Sequence, residues 1–441
     1  MTASYLPYDP QQMFLLPPAL QEWLPEGHLA HFISDTVDTL DLSAFHARYA
    51  GGGPRNQPFH PAMMVKVLLY GYATGVFSSR KIARKLHEDV AFRVLAAGNF
   101  PAHRTIREFR ALHLKELAEL FVQVVRLARE MGLVKLGTIA VDGTKLKANA
   151  SRHKAMSYER MVQTERELRT QIEALLARAR AADEAERDEP EVDIPAEIER
   201  REARLAAIVA ARERLQARQR EADLERGRTP DDENKPRGKN GKLKGGRFKR
   251  DFGIPKETAQ ENFTDPDSRI MKRAGGGFDA GYNAQTAIDD TAHLIVAAEL
   301  TNCASDAAEL PKMIEAVHTN LKALPRQVLA DTGYKAEAVF ETLVGCGCDV
   351  VVALGREGKA QLAVDPEKMP HTAAMATKLQ TDAARHAYAR RKWLAEPPNG
   401  WIKHVLGFRQ FSMRGLQKVR AEWKLVCLAL NLRRMATMQG R

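Results

Sequence analysis

Thr138-Ile139-Ala140-Val141-Asp142-Gly143-Thr144 and Val328-Leu329-Ala330-Asp331-Thr332-Gly333-Tyr334 decide how this chain is read. Each is a short aliphatic run that stops at an aspartate. Runs of this length, rich in β-branched residues and bounded by glycine, predict buried strands. An aspartate at the end of a buried strand is costly unless something compensates its charge. A third acid opens the stretch Glu396-Pro397-Pro398-Asn399-Gly400-Trp401-Ile402-Lys403, at the predicted start of a basic amphipathic helix. A divalent cation shared by the three carboxylates would supply the compensation and would make a phosphoryl-transfer centre.

Taken singly, each acid has a plainer reading. Asp142-Gly143 suits a turn, Asp331 suits a helix cap, and Glu396 suits a helix N-terminus with Pro397 and Pro398 in the first turn. Asp265, Asp267, Asp279, Asp289, Asp290 and Asp306 are competing acids. Asp265 and Asp267 flank Pro266 and read as turn residues, and Asp279 lies in a glycine-rich stretch. Asp279 ranks below the three named carboxylates.

The blocks around these acids resemble the DDE transposases of bacterial insertion sequences. The resemblance runs over nearly the whole chain. It is strongest from His60 to Arg110, Thr138 to Ala150, Asn262 to Asp306 and Tyr388 to Leu432. Leu329 to Tyr334 looks like the family's second catalytic block. Glu396 and Lys403 keep the Glu-x6-Lys spacing of its Tyr-Arg-Glu-Lys signature, and Tyr388 and Arg391 keep the Tyr-Arg spacing. Four residues separate Arg391 from Glu396 where the signature has three; Lys392 restores the spacing with the same charge. Pro398 and Asn399 stand where apolar residues are expected.

The resemblance implies an α/β ribonuclease H-like catalytic core with a mixed sheet. A helical coiled-coil insertion would interrupt that core, and an all-α helix-turn-helix-like domain would precede it. It implies that Asp142, Asp331 and Glu396 are catalytic and hold two Mg²⁺ ions, with Mn²⁺ as a substitute. Tyr388, Arg391 and Lys403 would meet DNA beside them. The partners implied are DNA, as terminal inverted repeats and target, and further copies of the chain assembled on it. Location would be cytoplasmic, with the bacterial nucleoid. Two rival readings are a catalytically inactive, sequence-specific DNA-binding derivative, which Pro398 and Asn399 motivate, and a ribonuclease H-like nuclease of branched DNA.

Composition fits this picture. At 441 residues and 44% hydrophobic, the chain can bury sizeable cores in two to four units. No apolar run reaches the length of a membrane span, and Met1 to Tyr5 do not read as a secretory signal. Four cysteines point to a reducing compartment, and the lone Cys346-x-Cys348 lacks the second pair a zinc site needs. The net charge of +11 is concentrated. Residues 385–441 hold thirteen Lys/Arg against two Glu, and residues 235–250 hold eight Lys/Arg and no acid, so the rest carries −8 by subtraction. Such local excess, one part of it beside Glu396, suits a track for a phosphate backbone.

The chain divides by texture. Residues 1–130 read as short helices with clustered bases: Arg80, Lys81, Arg84 and Lys85 after a Ser78 cap, then Arg104, Arg107 and Arg110 with Thr105 and Glu108 at capping-box spacing. These suit a helical DNA reader, with Arg80, Lys81, Arg84, Arg104 and Arg107 as contacts. Residues 131–152 begin the catalytic domain. Residues 153–226, rich in Glu, Arg and Ala, carry apolar stripes at Leu168, Ile172 and Leu175 and at Ile198, Leu205, Ile208 and Leu215, which predict a helical hairpin. Residues 227–258 read as a flexible basic loop, and 259–441 complete the catalytic domain with basic C-terminal helices. Within this last part, strands are expected at Tyr282–Ile288, Leu294–Leu300, Gln327–Ala330 and Asp349–Leu354, with helices between.

Overall fold

The computed structural model of the chain describes residues 19–49, 57–151, 154–184, 194–230, 248, 250–272, 276–355 and 364–439. Most of the predicted basic loop, residues 231–247 and 249, lies outside the described residues.

Seven helices come first: α1 (Leu29–Thr39), α2 (Ser43–Ala47), α3 (Pro61–Ala73), α4 (Ser79–Glu88), α5 (Val90–Leu95), α6 (His103–Leu112) and α7 (Leu114–Glu130). Strand β1 (Thr138–Lys147) leads to a short β2 (Ala155–Ser157) and two long helices, α8 (Tyr158–Glu184) and α9 (Ile194–Glu225). Then follow β3 (Gln260–Asn262), β4 (Arg269–Lys272), β5 (Phe278–Asp289), β6 (Ile295–Thr301), α10 (Leu310–Leu321), β7 (Gln327–Ala330), α11 (Glu337–Thr342) and β8 (Asp349–Val352). The chain closes with α12 (Pro370–Lys378), α13 (Asp382–Ala389), α14 (Arg391–Gly400) and α15 (Leu416–Gln439).

Six strands make one mixed sheet. Its central path runs β4, β5, β1, β7, β8, with β6 also on β5. β5 is antiparallel to β1 and β6, whereas β7 is parallel to β1 and to β8. Residue alternation decides what each face covers. Ile139 and Val141 of β1 point into the larger core, with Val328 and Ala330 of β7. Ala140 and Leu329 point the other way, under Ala384 of α13 and Leu394 and Ala395 of α14.

Helix α15 explains why the N-terminal helices belong to the same core. It is buried nearly all round, from Val419 through Trp423 and Leu428 to Met435, as expected of a helix apolar on every side. It packs on α7, α3 and β6. One hydrophobic cluster therefore runs from Ala30 and Met64 through Phe121 to Ile295 and Leu432. Helices α8 and α9 instead form their own cluster, Met161 and Leu168 against Ile208, Ala211 and Leu215. The predicted stripes account for it. Arg214 anchors the pair to the buried Glu261 of β3 at 2.6 Å, and Arg218 pairs with the same carboxylate.

Candidate active site

Strand β1 has different partners along its two edges, and that difference makes the site. On one edge it pairs with β5 over its whole length, from Ile139↔Asp289 to Lys147↔Gly281. On the other it pairs with β7 only as far as Val141↔Ala330. Asp142 and Asp331 are the next residues on each strand. They stand side by side where the parallel ladder opens, on the face that α14 covers. The sequence reading ended the first strand at Asp142. The strand instead continues to Lys147, because β5 still supplies hydrogen-bond partners, and this excludes a turn at Asp142-Gly143.

Asp331 is a cap, but not of the helix after Gly333, which begins at Glu337. Its Oδ1 accepts from the Gly333 N–H at 2.8 Å and caps a single 3₁₀ turn, Thr332–Tyr334. Asp142 is set deeper. Asn399 Nδ2 donates to its Oδ2 at 2.9 Å, and a terminal nitrogen of Arg391 stands 3.6 Å from Oδ1. Burial pushes the Asp142 carboxyl up to about 6; Arg391 and the Asn399 hydrogen bond pull it down, and the neighbouring Asp331 charge pushes it up. Two carboxylates this close, one of them poorly solvated, favour a bound cation.

Asp306, one of the competing acids, lies close to the pair. It stands under the same strand end, on the opposite face. Its carboxylate accepts from Lys145 Nζ at 2.9 and 3.1 Å, from Asn283 Nδ2 at 2.6 Å and from Gln285 Nε2 at 2.8 Å. Tyr334 donates in turn to Gln285 Oε1. Two glycines make the room. A Cβ on Gly143 would meet Gln285 Nε2 at 2.5 Å and Asp306 Oδ1 at 2.6 Å, and one on Gly333 would meet Asp331 Oδ1 at 2.9 Å and Asp306 Oδ2 at 3.3 Å. A glycine one or two residues after each strand aspartate, Gly143 and Gly333, is thus the signal that could have pointed to Asp306: both let the chain close in on a third carboxylate.

Helix α14 was expected to start at Glu396. It starts at Arg391, so Glu396 is in its middle and Pro397 and Pro398 are interior. Interior prolines remove backbone donors and crowd the preceding turn. The helix answers by widening into a π turn over Trp401–Val405, where Leu406 N donates to Trp401 O at 2.9 Å. The buried positions of α14 are Arg391, Leu394, Ala395, Pro398 and Asn399, whereas Glu396 is exposed. Glu396 and Asn399 are three residues apart, about one helical turn. Among the described residues, no group of three or more His, Cys, Asp or Glu side chains converges closely enough to hold a metal ion. The structure brings Asp142 and Asp331 together and leaves Glu396 apart from them.

The basic residues divide likewise. Lys403, within the π turn, donates its Nζ to Thr144 Oγ1; burial holds its ammonium below its usual range, against the pull of Asp142. Arg391 is buried against Asp142, and its Nε and one terminal nitrogen have no hydrogen-bond partner. Tyr388 packs beside the Leu394 cluster, with the Arg391 guanidinium 5.9 Å from its ring. In the N-terminal layer, Arg80, Lys81, Arg84, Arg104 and Arg107 are all exposed. Arg110 is not: it donates to Tyr72 Oη at 2.7 Å and to Phe77 O at 3.0 Å inside the core. Ser78 is the residue before α4 but makes no side-chain cap, and α6 begins at His103, so Thr105 lies inside its first turn.

Two families match this chain. "Transposase DDE domain" covers residues 253–432, and "Transposase domain (DUF772)" covers residues 18–112. The first span holds Asp306, Asp331 and Glu396, whereas Asp142 lies before it. No curated protein and no solved structure matches the chain. With one transposase domain matched across the N-terminal helices and another across most of the sheet and the helices behind it, the chain is a DDE transposase of the insertion-sequence kind.

Proposed function

We propose that this transposase cuts DNA at the ends of its own element and joins those ends to a target, using Asp142, Asp331 and Glu396 as metal ligands. The observation that carries the reading is the juxtaposition of Asp142 and Asp331 at the opening of the β1–β7 ladder. Burial and the second carboxylate both disfavour the charge on Asp142. A divalent cation relieves both, and an oxygen-only donor set suits Mg²⁺, with Mn²⁺ as a substitute. Glu396 would join by a rotation of its exposed side chain. Two such ions, when bound, would activate the attacking oxygen and stabilise the leaving one.

The chain's own residues supply the rest. Lys403, with its ammonium beside Thr144, meets a phosphate next to the acids. Arg391, ion-paired with Asp142 through Nη1, offers its Nε to the same strand. Tyr388 shapes the wall that they share. The exposed bases of α4 and α6 read the terminal repeats, and the α8–α9 pair serves contacts between copies on DNA. Interior Asp306 holds Lys145, Asn283 and Gln285 in place behind the acids.

The deciding experiment is Mg²⁺-dependent cleavage of DNA carrying the element's ends. The wild-type chain cleaves; Asp142→Asn and Asp331→Asn do not, yet both still bind the ends, because each loses a metal ligand and no phosphate contact. A near wild-type cleavage rate in either variant overturns the assignment of that residue.

A further inference from the structure

Asn399 stands out because its position is apolar by expectation and polar in fact, and because half of its side chain is unaccounted for. It is 8% exposed. Its Nδ2 is fully used, donating to Asp142 Oδ2 at 2.9 Å and, more weakly, to Ala395 O at 3.4 Å. Its Oδ1 is buried with no donor. Turning the amide over would not help, since its oxygen would then face the oxygen of a carboxylate. Orientation is therefore set by Asp142. Because oxygen and nitrogen share one planar carbon, the orphaned acceptor lies beside that same carboxylate.

Buried acceptors without a donor are uncommon in folded proteins and call for an explanation. The two cationic side chains nearest to Asp142 do not provide one: Arg391 leaves two of its own nitrogens unpartnered, and Lys403 donates to Thr144. What remains is a donor that arrives with the substrate state. Hydrated divalent cations held by one or two carboxylates keep several waters, each with two O–H donors to place.

We propose that Asn399 is a positioning residue for the metal site: Nδ2 fixes the rotation of the Asp142 carboxylate, and Oδ1 accepts from a water carried by the cation. This rests on Asp142 being a metal ligand. Groups that orient a metal ligand in this way commonly change metal affinity by about 10–100-fold when removed. Pro398, the residue before it, supports the role: it is buried and locks its own backbone angle, which helps to fix Asn399 over β1.

The test is Mn²⁺ binding to the full chain, followed by calorimetry and by the spin-resonance signal of free Mn²⁺, together with thermal melting in metal-free buffer. Asn399→Leu is expected to weaken Mn²⁺ binding about 10–100-fold and to lower the metal-free Tm only slightly, since the lost hydrogen bond to Asp142 is partly offset by removal of the orphaned oxygen. Asn399→Asp keeps an acceptor but places a second charge against Asp142. It is expected to lower the metal-free Tm, to bind Mn²⁺ at least as tightly as wild type, and to gain more Tm than wild type on adding Mn²⁺. Wild-type affinity in Asn399→Leu, or weakened binding in Asn399→Asp, overturns the proposal, as does a Tm loss in Asn399→Leu that matches its affinity loss. Should Asn399→Leu not fold, the Asn399→Asp arm decides alone. Asp142→Asn separates the two readings: if it binds Mn²⁺ like wild type, or if wild type binds none, the metal-ligand assignment itself falls and this proposal with it.

Discussion

Tyr72 of α3 and Glu422 of α15, 350 residues apart along the chain, share a buried hydrogen bond of 3.2 Å. The same carboxylate accepts from the backbone N–H groups of Ser412 and Met413 at 3.0 and 3.1 Å, and stands 4.0 Å from Arg110 of α6. Three segments of the chain therefore meet at one buried charge. The helices expected to read DNA are joined by it to the helix that backs the sheet.

Removing that charge should be expensive. Glu422→Ala leaves Arg110 buried and uncompensated, which costs about 3–5 kcal/mol. Denaturant unfolding of the full chain measures it. A loss below about 1 kcal/mol would show that the network contributes little beyond its packing.

Glu396 gives the opposite expectation for stability. Its side chain is exposed, so Glu396→Gln should leave the unfolding free energy within about 0.5 kcal/mol of wild type and abolish Mg²⁺-dependent cleavage. A variant that still cuts at the wild-type rate would remove Glu396 from the metal site.

Lys403→Ala should weaken binding to cleavage-site DNA and reduce the slope of log affinity against log salt by about one unit, the signature of one lost phosphate contact. Mn²⁺ affinity should not fall, because an ammonium is not a ligand. An unchanged slope would assign Lys403 to Thr144 and to the fold alone.

Asp142 should leave a mark on stability in the absence of metal. Its folded carboxyl titrates near 6, above its ordinary value of 3.8. The folded state thus holds its proton more tightly than the unfolded one, and this group's contribution falls as pH rises from about 4 to about 6, then levels. Asp142→Asn has no such loss. Its Tm advantage over wild type in metal-free buffer should grow between pH 4 and pH 7. Asp331, Arg391 and Lys403 face Asp142 in both proteins and leave the difference to Asp142. A Tm difference that is flat over this interval contradicts the assignment.

Replacing Arg80, Lys81 and Arg84 together by alanine should lower affinity for the terminal repeat without lowering Tm, since all three are exposed. Competition shift assays on the full chain, against random DNA, give the readout. Undiminished preference for the repeat would move recognition elsewhere.

The fold was legible wherever burial is written as periodicity. The aliphatic run at Val328–Ala330 and the helical spacing at Leu29–Leu40 both give elements within a residue or two of those observed. The helical hairpin was legible from Leu168, Ile208 and Leu215. What failed was local context. Glycine after Asp142 suggested a stop, but β5 holds the strand for five more residues, to Lys147. Two prolines after Glu396 suggested a helix start, yet the packing of Leu394 and Ala395 on Ala140 and Leu329 carries the helix through them. Arg110 looked like its exposed neighbours because a charge count cannot tell which arginine faces Tyr72. At the site, the acids were visible from the sequence, and Asn399 was visible as a departure. Its hydrogen bond to Asp142 depends on how α14 lies across β1, which no short stretch encodes.

The α8–α9 pair interrupts the chain between β1 and β5, two strands that are immediate neighbours in the sheet. Their register is set by direct pairing across nine rungs, not by the length of what joins them. Closing a longer connection adds only about 0.6 kcal/mol per doubling of its length. The junction between α8 and α9 is therefore a port where the polypeptide can be lengthened or shortened with little penalty to the sheet. A fluorescent domain or an affinity handle grafted there would ride on the enzyme while its strands, and the aspartates at their ends, stay in register.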